Sequence, residues 1–250
     1  MSDRVSAGVI EEATLNSLFL YDAVVDAGAT AGNVYASIDA AIDDDASSIF
    51  VKPGIYSGFT ADENNLRIVC EMAEEESNGF KSGVIIDGKV TVSGNGVSIE
   101  NMCVMPDGSN DAIDISGAQV WLKNCIVAYG PAGSSKAAID ISGDKVWIIN
   151  CQVKNTVGYA GIIVNGTHNF ILNNLISNNV DDGIYVDGDA LYAVIYGNII
   201  RNNSAYGIEI NTECSDDALI VGNVIYGNSS GIISGEDYYP STITNANLTV

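Results

Sequence analysis

The sequence predicts a single right-handed parallel β-helix, a solenoid of stacked coils of about 24 residues. Three observations indicate this fold class. Similar segments recur at a nearly constant interval, each interval holds three short runs rich in β-branched residues, and Gly, Asn and Asp separate the runs. No interval leaves room for a helix of about 10 residues, and runs this short cannot bury a face alone, so the coils must stack on one another.

The clearest repeat is a strand that ends at a corner occupied by Asn or Gly. The corners are Asn101, Asn124, Asn150, Asn173, Gly197 and Gly222, with spacings of 23, 26, 23, 24 and 25 residues. The next residue of each coil should point inward, where an Asn amide can bond to its equivalent about 4.8 Å away. These residues are Met102, Cys125, Cys151, Asn174, Asn198 and Asn223. A second polar corner is expected at Asn155, Asn178 and Asn202.

The two ends of the chain depart from the repeat and set the predicted domain limits. Residues 1–33 are interpreted as a separate N-terminal arm and docking segment, helical over residues 9–20. The β-helix domain is assigned to residues 34–236, and a helix within residues 34–43 should seal its first coil, because Val34, Ile38, Ala41 and Ile42 share one helical stripe. Residues 237–250 break the repeat and are expected to cover the last coil, since open β-edges promote aggregation.

The charge balance excludes several classes of partner. The chain has 32 Asp and Glu against 10 Lys and Arg, a net charge of -22. Such a surface lacks the cations that displace phosphate counterions, so neither nucleic acid nor an anionic membrane is expected to bind. No apolar run approaches about 18 residues, so membrane insertion is not expected. The charge suits concentrated salt, where screening removes self-repulsion, and indicates a halophilic source.

One stretch near the N-terminus resembles a known family. Residues 37–42, followed by Ile-Phe-Val-Lys-Pro-Gly-Ile-Tyr at residues 49–56, resemble the opening of pectin-lyase-like proteins, which include pectin methylesterases and phage tail proteins with a pectate-lyase domain. The later Gly-Asn-Ile-Ile and Asp-Asp-Gly-Ile coils look like carbohydrate-binding and sugar-hydrolase modules. The resemblance spans about residues 34 to 235. It implies the fold and leaves activity open, because the superfold hosts lyases, hydrolases, esterases and non-enzymes.

Two acidic pairs are the candidates for catalysis. Asp114 and Asp140 occupy equivalent outward positions on successive coils, about 5 Å apart, where like charges raise one pKa or recruit a cation. Asp181 and Asp182, followed by glycine, resemble polygalacturonase-like enzymes, but the Asn-Thr-Asp, His-Gly and Arg-Ile-Lys segments of that pattern are missing here. Asp114 and Asp140 are interpreted as acidic surface with weakly bound Ca²⁺ or Na⁺, and Asp-Asp-Gly at residues 181–183 as a turn sequence. No dedicated metal or cofactor site is expected. The single His, His168, lies in a turn sequence and is not assigned a catalytic role.

An outward column of the first repeated strand is apolar where a solvent-facing strand would be polar. Its members are Trp121, Trp147, Ile149, Phe170, Leu172, Val194, Tyr196, Leu219 and Val221. A parallel strand that is apolar on both faces is typical of a strand buried on both faces. We expect another subunit to cover this column, in a homotrimer about the helix axis. Cover by the termini of the same chain, or an aromatic sugar platform of Trp121, Trp147 and Phe170, are the alternatives.

Together these features predict a structural virion-surface protein, such as a tail spike, fibre or capsid decoration, of a virus with a halophilic host. The lack of an N-terminal secretory signal favours assembly in the host cytoplasm. The N-terminal arm would bind other virion proteins, and the β-helix would attach to host-surface glycans. The alternative function is a polysaccharide-active lyase, hydrolase or esterase, which should display an outward acid–base cluster.

Overall fold

Each full coil contributes one strand to a sheet A and two short strands to a sheet B, and every strand pair is parallel in the part of the chain that the structure describes. The computed structural model describes residues 21–29, 34–72, 83–106, 111–128, 136–211, 218–234 and 248–249. The predicted fold class, a β-helix of stacked parallel coils, is confirmed. The described ranges contain no helix with the length and hydropathy needed to cross a membrane.

Sheet A is formed by ten strands, numbered in chain order with those of sheet B. They are β1 (Ala23–Val25), β2 (Val34–Tyr35), β3 (Ser48–Val51), β5 (Arg67–Cys70), β7 (Ser98–Glu100), β10 (Val120–Lys123), β13 (Val146–Ile149), β16 (Phe170–Leu172), β19 (Val194–Tyr196) and β22 (Leu219–Val221). Their inward residues alternate with outward ones, as the period of two requires. The inward residues of the later strands are all buried in one continuous core: Val120, Leu122, Val146, Ile148, Ile171, Ile195 and Ile220.

Sheet B divides into two branches at the long strand β6 (Val84–Val92), which pairs with β4 (Gly54–Ala61). The first branch contains β8 (Cys103–Val104), β11 (Ile126–Ala128), β14 (Gln152–Lys154), β17 (Leu175–Ser177), β20 (Ile199–Arg201), β23 (Val224–Tyr226) and β25 (Leu248–Thr249). The second branch contains β9 (Ile113–Ile115), β12 (Ala137–Ile141), β15 (Ala160–Val164), β18 (Asp182–Val186), β21 (Tyr206–Ile210) and β24 (Gly231–Ser234).

The backbone conformation at the corner between sheet A and the first branch explains why only Asn and Gly occupy the six predicted positions. All six predicted corner residues have φ between 54° and 69°, a left-handed conformation that Asn and Gly tolerate best. The following residues stack inside the solenoid as predicted. Asn174 donates from Nδ2 to Asn198 Oδ1 at 3.0 Å, and Cys151 donates its backbone N–H to Asn174 Oδ1 at 2.7 Å.

The second polar corner is present, but its stacked amides belong to the residue after the predicted ones. Asn155, Asn178 and Asn202 have positive φ and form the bend itself. The inward ladder is Thr156, Asn179, Asn203 and Asn228, in which each Asn Oδ1 accepts hydrogen bonds from the coil before it. The predicted residues therefore form the corner itself. The stacked ladder beside it was not predicted, because adjacent asparagines leave the sequence ambiguous about which one bends and which one stacks.

The predicted N-terminal boundary is wrong in part. Strand β1 lies inside the segment assigned to a separate arm, yet it pairs with β2 and β3, and its Val25 is fully buried. The solenoid therefore extends to the N-terminal side of residue 34, because a three-residue strand is long enough to join a coil. The expected helix over residues 9–20 lies outside the described residues.

The two predicted caps differ from the structure in extent. Helix α1 covers only Ile38–Ile42, with Ser37 as its N-cap, and its apolar residues pack against the core. Val34 belongs to strand β2 and not to the helical stripe. At the other end, β25 pairs with β23, so at least two tail residues continue the sheet. The remainder of the segment 237–250 lies outside the described residues.

Candidate functional site

The four acidic candidates lie on, or directly before, strands of the second branch of sheet B. Near the end of each strand two inward aliphatic residues are buried, so the residue between them faces outward. This outward column runs through Asp114, Asp140, Ile163, Tyr185 and Glu209. A second column, at the start of the strands, contains the register partners Ala137, Ala160 and the buried Asp182. In this column Asp111 accepts a hydrogen bond from the Ala137 backbone and Asp182 accepts one from the Tyr206 backbone.

The first acidic cluster is a charge ladder closed by two lysines. Asp114 and Asp140 are register partners on β9 and β12, as predicted. Lys89 Nζ lies 2.8 Å from Asp114 Oδ2, and Lys136 Nζ lies 3.0 Å from the buried Asp111. Burial, together with the carboxylates of Asp111 and Asp114, raises the pKa of Asp140 to about 6. Because both lysines are paired with aspartates, this cluster is largely neutralised by its own members.

The second acidic cluster contains a pair of carboxyl groups in direct contact. Asp182 is 0% exposed, and its Oδ1 accepts the backbone N–H of Tyr206 at 2.8 Å. Its Oδ2 has no hydrogen-bond donor among the described residues and interacts with the Glu209 side chain. Burial, the contact with Glu209 and the charge of Asp181 raise the pKa of Asp182 to about 8. The buried Asp182 carboxyl group therefore holds a proton at neutral pH.

Two tyrosines border this pair. The rings of Tyr159 and Tyr185 meet edge to face, with their centroids 5.1 Å apart, and pack on Ala137, Ala160 and Ile163. Asn211 Nδ2 donates to the Tyr185 hydroxyl at 2.9 Å, which fixes the outer end of the ring. Burial raises the pKa of both phenols, so both remain neutral. We call Tyr159, Asp181, Asp182, Tyr185 and Glu209 the acid–tyrosine patch.

The structure therefore separates the candidates into two clusters. Strand β15 lies between them and contributes Ile163, so Asp140 and Asp182 are two coils apart, about 10 Å along the solenoid. The sequence does not predict the contact between Asp182 and Glu209. That contact joins two different columns on adjacent coils, and counting positions within one column cannot show it. Among the described residues, no three His, Cys, Asp or Glu side chains converge as a metal site.

Gly183 has a structural role that accounts for the Asp-Asp-Gly sequence. A Cβ atom at Gly183 would lie 2.5 Å from the Gly207 carbonyl oxygen and 2.6 Å from Ile200 Cγ2. The coils pack too closely there for any other residue.

His168 is exposed in a left-handed turn beside Tyr192, with ring centroids 5.0 Å apart. The resemblance to polygalacturonases at this point is therefore limited to the two aspartates.

The predicted apolar column forms two adjacent outward rows on sheet A. In the first row Trp121 stacks on Trp147, with ring centroids 4.8 Å apart and ring planes at 6° to each other. Trp147 stacks on Phe170, with centroids 5.2 Å apart and planes at 2°. Val194 and Leu219 continue this row. Because the rings lie face to face, and because the neighbouring coils occupy the outer faces of the end rings, only ring edges point to solvent. A sugar stacks on a ring face, so this geometry disfavours the aromatic sugar platform.

The second row continues the apolar surface to the corner and beyond. Ile149 and Leu172 are half-buried, whereas Tyr196 is 51% exposed, and Val221 closes the row. Across the corner, the first branch adds outward Leu175, Ile199 and Val224 in one register column, with Ile199 43% exposed. Sequence reasoning missed this extension, because three-residue strands give too short an alternation to distinguish outward from inward positions.

The comparisons with known proteins agree with this architecture. Residues 82–248 match the family model described as a right handed beta helix region. Similar solved structures include a pectin methylesterase in complex with a hexasaccharide, at 14% identity over 85% of this chain and 81% of that chain, with a TM-score of 0.63. A periplasmic alginate epimerase is 14% identical over 86% of this chain and 53% of that chain, with a TM-score of 0.59.

The Dettilon tailspike protein is 13% identical over 76% of this chain and 50% of that chain, with a TM-score of 0.45. No curated protein matches the sequence. At these identities the structural similarities show the fold alone, and the pectin methylesterase and the alginate epimerase share that fold. The family match covers two thirds of the residues, and the chain belongs to the right-handed β-helix family.

Proposed function

We propose that this chain is a structural virion-surface protein, a tail spike, fibre or capsid decoration, that assembles as a homotrimer and attaches to host-surface glycans. The observation that carries the proposal is the apolar column of sheet A. Both of its rows run without a charged residue over the four consecutive strands β13, β16, β19 and β22, and Trp121 of β10 extends the first row beside Lys123. Leaving it in water forfeits about 1.5–3 kcal/mol for each large side chain that a partner would bury. A contiguous apolar surface of this kind typically marks an interaction site.

Copies of this chain are the occupant that fits the column best. The column follows the solenoid axis, so parallel copies arranged about that axis can pack along its full length. Its uncharged rows offer little to a strongly charged partner, and its ring edges interdigitate with apolar side chains more readily than they stack on sugars. The apolar residues across the corner, including Ile199, widen the surface to two faces of the solenoid, as a packing with two neighbours requires.

The net charge of -22 supports a particle exposed to concentrated salt. Parallel copies bring like charges together, and that repulsion weakens as the Debye length falls from about 10 Å at 0.1 M to about 3 Å at 1 M salt. A virion of a halophilic host meets this condition. The expected location is the particle surface, with assembly in the host cytoplasm.

Light scattering of the full chain in about 3 M and about 0.1 M NaCl tests the assembly. We expect three times the chain mass of 26.2 kDa in high salt and dissociation in low salt. Tyr196→Asp and Leu219→Asp should each give monomers at both salt concentrations, because each variant places a charge in the apolar column. Val180→Asp is the matched control, since Val180 is 54% exposed but lies on a turn away from the column. A wild-type monomer in both salts would overturn the proposal.

The second candidate function is a polysaccharide-active enzyme, and the Asp182–Glu209 pair is the observation that favours it. The partly exposed Glu209 carboxylate can act as general base on a bound polysaccharide, with the buried Asp182 beside it as a positioning residue. The test is the release of new chain ends from a panel of polysaccharides by the wild type and by Asp182→Asn. Activity that is lost in Asp182→Asn and kept in Leu219→Asp would establish the enzyme independently of assembly.

A further inference from the structure

A third corner of the solenoid lies just before the strands of sheet A, and its composition differs from that of the two corners already described. At those two corners, every described residue with positive φ is Asn or Gly. The third corner has Asn65 and Gly96 in the early coils. In the next four coils it has large residues with φ between 55° and 57°, namely Gln119, Lys145, His168 and Tyr192. We call these four residues the turn row.

The members of the turn row occupy equivalent positions in consecutive coils. The backbone N–H of each of the first three members donates to the carbonyl of the residue just before the next member, at 2.8–2.9 Å. Because neighbouring coils lie about 4.8 Å apart, the row extends over about 14 Å along the solenoid. The row therefore presents four side chains at regular spacing along one edge of the molecule.

The large side chains of the turn row are unfavourable for the backbone that carries them. In the left-handed conformation the Cβ atom crowds the following carbonyl oxygen, a contact that Gly lacks and Asn tolerates. All four side chains are exposed, and in the part of the chain that the structure describes none of them makes a hydrogen bond or an ion pair. Neither the core nor the hydrogen-bond network therefore explains why this corner departs from Asn and Gly. Strain of this kind is typical of ligand-contacting positions.

The chemistry of the turn row suits a sugar chain. Tyr192 is 49% exposed, and its ring meets that of His168 at 39° with centroids 5.0 Å apart. The Tyr192 ring is therefore not covered face to face as Trp147 is, and it offers apolar surface to a sugar ring. Gln119, Lys145 and His168 place amide, ammonium and imidazole groups along the same line, where they can bond to sugar hydroxyls.

The charges around the turn row favour a ligand without charge. Lys145 is the cation of the row, and the exposed Asp144 precedes it directly and balances its charge. Asp144 is held in place, since its Oδ1 accepts the Thr167 backbone N–H at 2.8 Å. The net charge of -22 opposes the approach of a polyanionic glycan, and Lys145 opposes that of a polycationic one.

The turn row stays accessible in the proposed assembly. Each member precedes the first row of the apolar column by two residues, as Lys145 precedes Trp147, so the turn row lies at the beginning of the sheet A strands. The first branch, with Ile199, lies beyond the opposite end of these strands. Neighbouring copies that cover the apolar column and the first branch therefore leave the turn row at the rim.

We infer that the turn row is the surface through which the protein binds glycans, and that its ligand is an uncharged hexose polymer. A sugar ring packs on Tyr192, and hydroxyl groups of the chain bond to Gln119, Lys145 and His168. The inference rests on the glycan attachment in the proposed function, and it adds the location of the site and the class of glycan.

Calorimetric titration of the full chain in about 3 M NaCl tests the class of glycan. The uncharged probes are maltohexaose, cellohexaose and mannohexaose, and the charged probes are hexagalacturonate and a glucosamine hexamer. We expect at least one uncharged probe to bind about tenfold or more tightly than either charged probe. Monomeric Leu219→Asp should bind that probe as the wild type does, because the turn row lies within one chain.

Asparagine variants test the location. Lys145→Asn, His168→Asn and Tyr192→Asn each introduce the residue that the other corners use. Each variant should bind the sugar about tenfold or more weakly, because one contact is lost. Its melting temperature should equal or exceed that of the wild type, because the left-handed strain is relieved. Asn202→Gly is the matched control, since Asn202 is exposed with φ of 56° at the second corner, and it should bind as the wild type does.

The outcomes separate the inference from the proposed function. Preference for a charged probe overturns the inference and leaves glycan attachment standing, as does wild-type binding in all three asparagine variants. Asparagine variants that all melt below the wild type would assign the side chains to the fold and would also overturn the inference. If no probe binds, both the inference and glycan attachment fail, whereas light scattering decides the assembly through sheet A independently.

Discussion

Asn198 and Asn223 are joined across adjacent coils by a side-chain hydrogen bond of 3.0 Å from Nδ2 to Oδ1. Asn198 also accepts from Asn174 and donates to the Ile171 carbonyl, so its amide is fully used inside the solenoid. Asn198→Ala leaves buried partners without bonds on both sides and should lower the free energy of unfolding by about 2–4 kcal/mol. Urea unfolding followed by circular dichroism measures this loss.

Asn198→Cys is the matched comparison, because Cys125 and Cys151 occupy the same corner in earlier coils. It should cost less than Asn198→Ala, since the thiol fills more of the space and offers a weak acceptor. An alanine variant as stable as the wild type would mean that the ladder sets register without stabilising the fold.

The corner before this ladder should tolerate glycine but not a β-branched residue. Asn173 has φ of 57°, and later coils place Gly197 and Gly222 at the same position. Asn173→Gly should therefore change the melting temperature little, whereas Asn173→Val should cost about 1–2 kcal/mol through left-handed strain. Equal melting temperatures for the two variants would contradict the role assigned to positive φ.

The described cysteines should be chemically silent in the folded protein. Cys70, Cys103, Cys125 and Cys151 are buried without disulfides, and burial raises the pKa of each shifted thiol, that of Cys103 to about 11. Cys214 lies outside the described residues, so Cys214→Ser gives a clean background for a thiol reagent. That variant should show no reactive thiol when native and four after unfolding in urea. Fast reaction of the native variant would indicate that the coils open locally.

The repeat in the sequence predicts most of the fold, because a parallel coil repeats its contacts at every turn. The inward aliphatics, the ladder at Asn174 and the outward column through Trp147 all followed from one period. Strand β1 was not predicted, because a single strand at the end of a solenoid has no repeat with which it can be aligned. The Asp182–Glu209 contact was not predicted either, because spacing along the chain does not determine how side chains of two different columns point toward each other.

The two acidic clusters should destabilise the fold over different ranges of pH. The pKa of Asp182 rises from 3.8 to about 8 and that of Asp140 to about 6, in both cases chiefly through burial. A raised carboxyl pKa means that the folded protein keeps a proton that the unfolded chain releases. Stability therefore falls with rising pH from about 4 to about 8 for Asp182, and from about 4 to about 6 for Asp140.

Asparagine variants isolate these contributions. Asp182→Asn keeps an oxygen for the Tyr206 backbone N–H and gains a donor toward Glu209, so it should match the wild type near pH 4 and become progressively more stable than the wild type up to about pH 8. For Asp140→Asn, the gain in stability over the wild type should stop increasing at about pH 6. Melting temperatures of the three proteins across this range measure the differences. A stability difference between Asp182→Asn and the wild type that stays constant with pH would mean that Asp182 is already ionised in the folded protein, and its raised pKa would then have to be abandoned.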